Sequence, residues 1–215
     1  MKTALFDYAL PPELIAQRPC DPRDAARLLV ARCGDGPVDH RTVRDLPDLL
    51  APGDLLVVNR SRVIPARLAA RRAGGGEGEV LLVHRLDDAG AGERWRCLVR
   101  GRVKPGAELT VADAIARVEA CHDDGGRDLR FAPGVDVAAL AEAQGRIPLP
   151  PYIRRDDDAA DRDRYQTVFA DSPGSVAAPT AGLHFTPGLL DRLRERGIGL
   201  AQVDLAVGPG TFKPV

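Results

Sequence analysis

Of the four histidines in the chain, only His184 lies in a run of small residues, Pro179-Thr180-Ala181-Gly182-Leu183-His184-Phe185. An imidazole exchanges its proton near neutral pH, which makes His184 the first candidate for a general acid or base. Gly182 lets a ligand approach the backbone closely, and the helix expected to begin at Thr186 turns its positive end toward negative charge. No carboxylate partner is visible beside His184, so a satisfied structural histidine is the competing reading.

Two further strand-terminal loops carry residues suited to a site. Asn59-Arg60-Ser61-Arg62 directly follows an apolar run, and ligands of open α/β sheets gather at the carboxyl ends of strands. Asn59 and Arg62 are therefore site candidates, against a strand cap and a surface charge. Gly208-Pro209-Gly210-Thr211-Phe212 is a glycine-bearing loop able to wrap a ribose or adenine, with Phe212 stacking, although its G-x-G is a weak signal alone. Arg67 can hold a carboxylate or phosphate in a fork of hydrogen bonds, or equally brace a domain junction. Pro148 to Tyr152 reads as a rigid linker, and Tyr165 as a core tyrosine or a hydroxyl contact. The chain has no P-loop, no G-x-G-x-x-G, no H-E-x-x-H and no G-x-S-x-G.

The elements that must position these loops follow from spacing. From Arg41 to Asn59 the pattern predicts a short helix capped by Asp45 and carrying Leu46, Leu49 and Leu50. A turn at Pro52-Gly53 and a strand over Leu55 to Val58, buried on both faces, complete it. Near the end, Thr186 is the expected N-cap, with Pro187 at the first helical position, an apolar face of Leu189, Leu190 and Leu193, and a stop at Gly197. A strand from Leu200 to Val207 follows. Between these pieces the chain predicts short strands without convincing helices, at Val80–Arg85, Trp95–Arg100, Glu108–Val111, Ala114–Ala120 and Asp128–Phe131, separated by turn-rich stretches. The expected architecture is α/β: a mixed-sheet α/β domain over 1–66 plus 150–215, interrupted by a small antiparallel β-barrel over 67–149.

Composition narrows the class. The 215 residues are 44% hydrophobic and 28% charged, with formal net charge -1, as in a soluble globular protein. The longest apolar runs fall far below the length that crosses a bilayer, so neither a membrane span nor a signal peptide is expected. Cys20, Cys33, Cys97 and Cys121 form no C-x-x-C pair, which predicts reduced thiols, no metal and a cytoplasmic protein. From Asp54 to Lys104 there are eleven Lys/Arg against six Asp/Glu, a local basic surplus inside a nearly neutral chain.

Taken together, the strings "FDYALPPELIAQ" (Phe6–Gln17), "PGDLLVVNRSRVIPARL" (Pro52–Leu68), "GEVLLV" (Gly78–Val83), "PLPPYI" (Pro148–Ile153), "RYQTVFA" (Arg164–Ala170), "GSVAAPTAGLHF" (Gly174–Phe185) and "VGPGTFKPV" (Val207–Val215) resemble the S-adenosylmethionine:tRNA ribosyltransferase-isomerase family of queuosine synthesis. The resemblance runs through the whole chain. It implies an α/β domain interrupted by a β-barrel, and an enzyme that moves and isomerises the ribosyl part of S-adenosylmethionine onto 7-aminomethyl-7-deazaguanine at the tRNA wobble position. The products would be epoxyqueuosine-tRNA, adenine and methionine. It further implies S-adenosylmethionine as a substrate rather than a tightly bound cofactor, and tRNA as partner; a monomer with no membrane association is expected. His184 would transfer the proton. Asn59, Arg62, Thr180, Gly182, Gly210, Thr211 and Phe212 would line the pocket, and Arg67, Arg71, Arg72 and Arg100 would hold tRNA phosphates. Two departures from the pattern stand out: Ala206 occupies the family's usual histidine position in L-H-V-G, and the family's C-terminal motifs after "GTFKPV" are expected to be missing. The alternative is a truncated, catalytically silent relative that binds tRNA or a nucleotide.

Overall fold

The computed structural model describes residues 2–34, 36–87, 91–208 and 210. In chain order the elements are β1 (Arg27–Val30), β2 (Asp39–Thr42), α1 (Leu46–Leu49), β3 (Leu55–Asn59), β4 (Ser61–Val63), β5 (Arg67–Arg72), β6 (Glu77–Asp87), β7 (Arg94–Val99), β8 (Glu108–Val111), β9 (Ala114–Cys121), β10 (Gly126–Phe131), α2 (Val137–Gln144), α3 (Asp161–Arg164), β11 (Ser172–Ser175), α4 (Pro187–Glu195) and β12 (Gly199–Val203). The architecture is α/β. Strands β5 to β10 close into an antiparallel barrel in the order β10-β7-β6-β5-β8-β9, while β3 with β12 and β4 with β11 form separate parallel pairs.

Period-two burial explains the barrel. Along β9, Ala114, Ala116 and Val118 point inward while Ile115, Arg117 and Glu119 face out. The inward residues of the other strands, including Leu68, Leu82, Cys97, Leu109 and Leu129, join them in one core. That core also takes Val137 and Ala141 from α2, a helix absent from the sequence expectation. Its Val-Ala-Ala-Leu-Ala-Glu-Ala-Gln run has too few large apolar residues to show a stripe, but Asp136 caps it by accepting from the Ala139 N–H at 2.9 Å. Strand β5 is likewise additional to the expected set, because only Leu68 and Ala70 of its six residues are inward and the rest are basic or small.

Outside the barrel a second core joins Val58, Phe169, Phe185, Leu189, Leu190, Leu193 and Ile198. The Phe169 and Phe185 rings meet tilted, with centroids 5.5 Å apart. Helix α4 forms as its sequence predicts: Thr186 Oγ1 accepts from Leu189 N–H at 3.2 Å. It ends when Ile198 N–H donates to Leu193 O and Gly197 N–H to Arg194 O, with Gly197 at φ 75°.

Three local expectations are corrected. Asp45 stands at the N-cap position of α1 as expected but gives that helix no side-chain hydrogen bond; its carboxylate instead closes a capping box on the preceding 3₁₀ turn Val43–Asp45, accepting from the Thr42 backbone N–H and hydroxyl, both at 2.9 Å. Strand β3 is buried on one face only, since Leu55 and Val57 are 61% and 60% exposed; with β12 as its single partner, nothing in the described chain covers the other face. Strand β12 ends at Val203 rather than Val207. Beyond it the chain bends so that Val207 O receives the Val176 and Ala177 N–H groups.

Two constraints tie the barrel and the N-terminal segment to the rest. Where the chain enters and leaves the barrel, Arg67 and Arg146 exchange backbone hydrogen bonds (3.2 and 2.8 Å). Gly145 sits in this crossing so tightly that a Cβ would lie 1.8 Å from Pro65 O and 2.4 Å from Ala141 O. Separately, Arg155 makes a two-pronged pair with Asp161 (2.7 and 2.8 Å) and donates through Nε to Gln17 O at 2.9 Å. Asp161 is 4% exposed, and the Arg155 guanidinium holds its carboxyl below the usual range despite burial.

Gly145→Ala should therefore lower stability by about 1–3 kcal/mol through overpacking, read as a lower urea midpoint; an unchanged midpoint would show that the crossing can relax. Arg155→Ala should cost about 3 kcal/mol, because it strands a buried carboxylate. The Asp161 pair contributes fully above the unfolded carboxyl pKa of 3.8, and its contribution is lost as pH falls through the lower folded value. The wild-type urea midpoint should accordingly drop on acidification below 3.8, more steeply than that of the Arg155 variant.

Candidate functional site

Residues Thr180–His184 form a 3₁₀ turn between β11 and α4. Pro179 precedes it, Gly182 N–H closes on Pro179 O at 2.8 Å, and the buried Phe185 anchors its end on Phe169. Gly182 is required by packing within the protein: a Cβ there would sit 2.9 Å from Thr167 Cγ2. With that side pressed inward, Thr180 and His184 face a cleft.

The cleft comprises two adjoining cavities of about 230 and 380 Å³ that share Arg18, Arg164, Thr180, Leu183 and His184. The smaller is closed by Leu149, Pro150, Tyr152 and Ile153 of the segment returning from the barrel; the larger is bounded by Cys20, Arg23 and Ala25 to Arg27. Their combined size falls in the range of small-molecule sites generally, about 300 to 1,000 Å³.

Polar side chains fasten these walls. Gln17 Nε2 donates to Tyr152 O at 3.2 Å and Gln17 Oε1 accepts from Arg154 N–H at 2.6 Å. Arg18 pairs with Asp158 at 2.8 Å, holding that carboxyl below its usual range. Arg164 reaches Asp21 at 3.0 Å and donates to Cys20 O. Arg23 donates to Asp163 O at 2.7 Å; burial, and after it the like charge of Arg164, lowers its pKa from the ordinary arginine value.

His184 is half-buried, with Nδ1 3.1 Å from Ala181 O. A carbonyl only accepts, so this hydrogen bond makes Nδ1 the protonated nitrogen and leaves the lone pair on Nε2. The ring is thereby oriented as a proton acceptor at Nε2. Tyr165 is 7% exposed and lines the smaller cavity. Among the described residues its hydroxyl has no partner in full hydrogen-bonding geometry, although the Ala178 backbone lies near enough to perturb the phenol. Burial pushes this phenol up to about 12.

The sequence-derived candidates separate into groups. Thr180 and His184 share the cleft, and Gly182 braces the turn that carries them. Asn59 spends its amide on the backbone, donating to Leu205 O at 2.9 Å and accepting from Ser61 and Leu205 N–H groups. It stitches the end of β3 to the chain beyond β12, and Ser175 Oγ does the same for the end of β11 by accepting from Val207 N–H at 3.0 Å. Arg62 is exposed on β4, beside Pro173. Gly210 is exposed, and Thr211 and Phe212 lie outside the described residues. None of Asn59, Arg62 or Gly210 lines the two cavities.

Arg71, Arg72 and Arg100 lie together at one end of the barrel. Arg100 N–H donates to Glu79 O at 2.8 Å, and Arg72 packs its guanidinium over Gly101. Exposed Arg102 and Lys104 follow in the same loop. Arg67 is apart from them, 3.6 Å from Glu79 and bordering a small polar cavity with Arg146, Asp156 and Asp157. The residues that sequence reasoning does not single out are Gln17, Arg18, Arg155, Asp161 and Arg164. Their only signal in the sequence is membership of the "FDYALPPELIAQ", "PLPPYI" and "RYQTVFA" strings or proximity to them.

Comparison with known proteins gives a single result. The family model described as "Queuosine biosynthesis protein" matches residues 3–215. The chain is 51% identical over 218 residues to an S-adenosylmethionine:tRNA ribosyltransferase-isomerase of Anaeromyxobacter sp. (strain K), covering 100% of this chain and 63% of the relative. It is 49% identical over 220 residues to the enzyme of that name from Thermotoga maritima, with 62% of the relative covered, and 49% identical over 218 residues to that of Geobacter metallireducens, with 63% covered. A crystal structure of the S-adenosylmethionine tRNA ribosyltransferase of Thermotoga maritima aligns with 94% of this chain and 58% of that one, at 40% identity and a TM-score of 0.38. The chain thus spans somewhat less than two thirds of the length of these relatives, and its own residues from end to end place it in the queuosine biosynthesis protein family.

Proposed function

We propose that this chain supplies the cleft in which the ribosyl moiety of S-adenosylmethionine is transferred to 7-aminomethyl-7-deazaguanine at the tRNA wobble position and isomerised, giving epoxyqueuosine-tRNA with release of adenine and methionine. The observation that carries the proposal is the position of the "PTAGLHF" turn: the residues that mark the family are those that project His184 and Thr180 into the cleft. The name borne by the relatives supports the reaction class.

In this proposal His184 Nε2 takes a proton from the aminomethyl group, freeing its nitrogen, while Nδ1 stays fixed on Ala181 O. The cleft walls position the ribose 5′ carbon and exclude water. Asn59 and Gly182 act indirectly, by holding the strand ends and the turn in place; for Gly210, Thr211 and Phe212 the family resemblance alone supports a contact with substrate. Arg71, Arg72 and Arg100 track phosphates along the barrel end. Arg67 serves the junction and touches tRNA only from its rim. The α/β residues 1–66 and 150–215 and the barrel residues 67–149 divide these tasks: chemistry in the first, tRNA grip in the second.

His184→Ala should reduce adenine release from S-adenosylmethionine in a single-turnover assay by about 10²- to 10⁴-fold, the usual worth of a general acid–base group, with tRNA affinity unchanged. Activity close to wild type would remove His184 from the mechanism; binding of tRNA without adenine release by the wild-type chain would favour a silent relative instead. Replacing Arg71, Arg72 and Arg100 together with alanine should weaken tRNA binding and flatten the slope of log K against log salt by about one unit for each phosphate no longer neutralised. An unaltered slope in filter binding would place the tRNA elsewhere.

A further inference from the structure

We infer that the larger cavity is a subsite for a backbone phosphate of the acceptor RNA, with Arg23 and Arg27 as the cations that receive it. That identity for the anion rests on the proposed reaction; the charge of the cavity does not. Arg18, Arg23, Arg27 and Arg164 line it together with His184, and among the described residues no aspartate or glutamate does. Two of these arginines are balanced by carboxylates outside the cavity, Arg18 by Asp158 and Arg164 by Asp21. The other two have no such balance among the described residues. Arg23 gives its hydrogen bonds to the carbonyl oxygens of Gln166 and Asp163, and the exposed Arg27 guanidinium is left without a partner.

A cleft lined by one sign of charge focuses its field on an incoming counterion. Burial, and then the like charge of Arg164, lower the Arg23 pKa and outweigh the pull of Asp163 and Asp21, so the positive charges crowd one another. An oxyanion set among these guanidiniums relieves the crowding and accepts their hydrogen bonds. Of the two substrates, S-adenosylmethionine is net cationic, a sulfonium and an ammonium against one carboxylate, and an arginine-lined compartment repels it. The phosphates flanking the wobble nucleotide are purely anionic. They also travel with the base that must reach His184, which is on the wall common to both cavities. This leaves the smaller cavity to the donor.

The test is filter binding of an anticodon stem-loop RNA with ordinary guanine at the wobble position, to the intact wild-type chain and to Arg27→Gln. The variant should bind about tenfold more weakly, the worth of one charge-assisted hydrogen bond, with the salt slope flattened by about one unit. Its melting temperature should be unchanged, because the guanidinium has no partner in the described fold. Replacing one of the two phosphates flanking the wobble nucleotide with an uncharged methylphosphonate should cost the wild type a similar factor and cost Arg27→Gln little more. Arg23→Gln should show the same coupling, and Arg27→Lys should recover part of the affinity. Losses that simply multiply at both phosphates, full affinity in Arg27→Gln, or no binding of the stem-loop by the wild type would overturn the inference. So would weaker binding of S-adenosylmethionine to Arg27→Gln in equilibrium dialysis with its decarboxylated analogue unaffected, which would assign the cations to the donor's carboxylate. No chemistry runs on the guanine stem-loop, so absent coupling with adenine release intact strikes the subsite alone, and coupling without adenine release strikes the reaction alone.

Discussion

The pairing of Arg155 with Asp161 is the interaction on which the cleft depends. It is a buried carboxylate met by a forked guanidinium, and that guanidinium simultaneously holds the Gln17 carbonyl. Three stretches of chain are fixed by one planar group: the N-terminal segment, the return from the barrel, and α3. Removing such a charge from water is costly, and the cost is recovered only when the remaining lone pairs are also filled; the Asp158 N–H, at 2.9 Å, fills another. The geometry is thus narrowly specified along a wall of the cavity that His184 also lines.

The barrel and the parallel pairs are legible in the sequence to different degrees, for a physical reason. Strands such as β9 alternate strictly between buried and exposed positions, so their period is written in the residues. The same holds for α4, where Thr186, Pro187 and Gly197 mark both ends. Helix α2 is hidden because its buried contribution is Val137 and Ala141, the second of which carries almost no hydrophobic signal. Leu55 and Val57 mislead in the opposite direction: an unbroken apolar run implies two covered faces, yet in the described chain β3 has one neighbour and shows one face to solvent.

At the site, local chemistry is legible and long-range pairing is not. His184 and Thr180 declare themselves because a small-residue turn before a helix is a local pattern. Asn59 declares itself as well, but position at a strand end does not distinguish a ligand-binding amide from one consumed by backbone, and here Leu205 and Ser61 consume it. Arg155 and Asp161 are six residues apart in a stretch dense with aspartates, where nothing in the residue order selects one pair. Their importance comes from Gln17, 138 positions away from Arg155.

The two cavities meeting at the Thr180–His184 turn suit the reaction proposed above, in which a single imidazole would serve two large substrates. A donor nucleoside and an acceptor base must each be gripped by their faces and edges, yet their reacting atoms must come within bonding distance. Compartments with separate outer walls and a shared inner one meet both demands, provided the proton-transfer group is on the shared wall. His184 occupies that wall, its Nδ1 fixed to a carbonyl of the same turn, so that its other nitrogen is the one left for the proposed proton transfer. Gly182 presses the turn onto Thr167 from behind, so a side chain added there would shift the imidazole relative to both compartments at once.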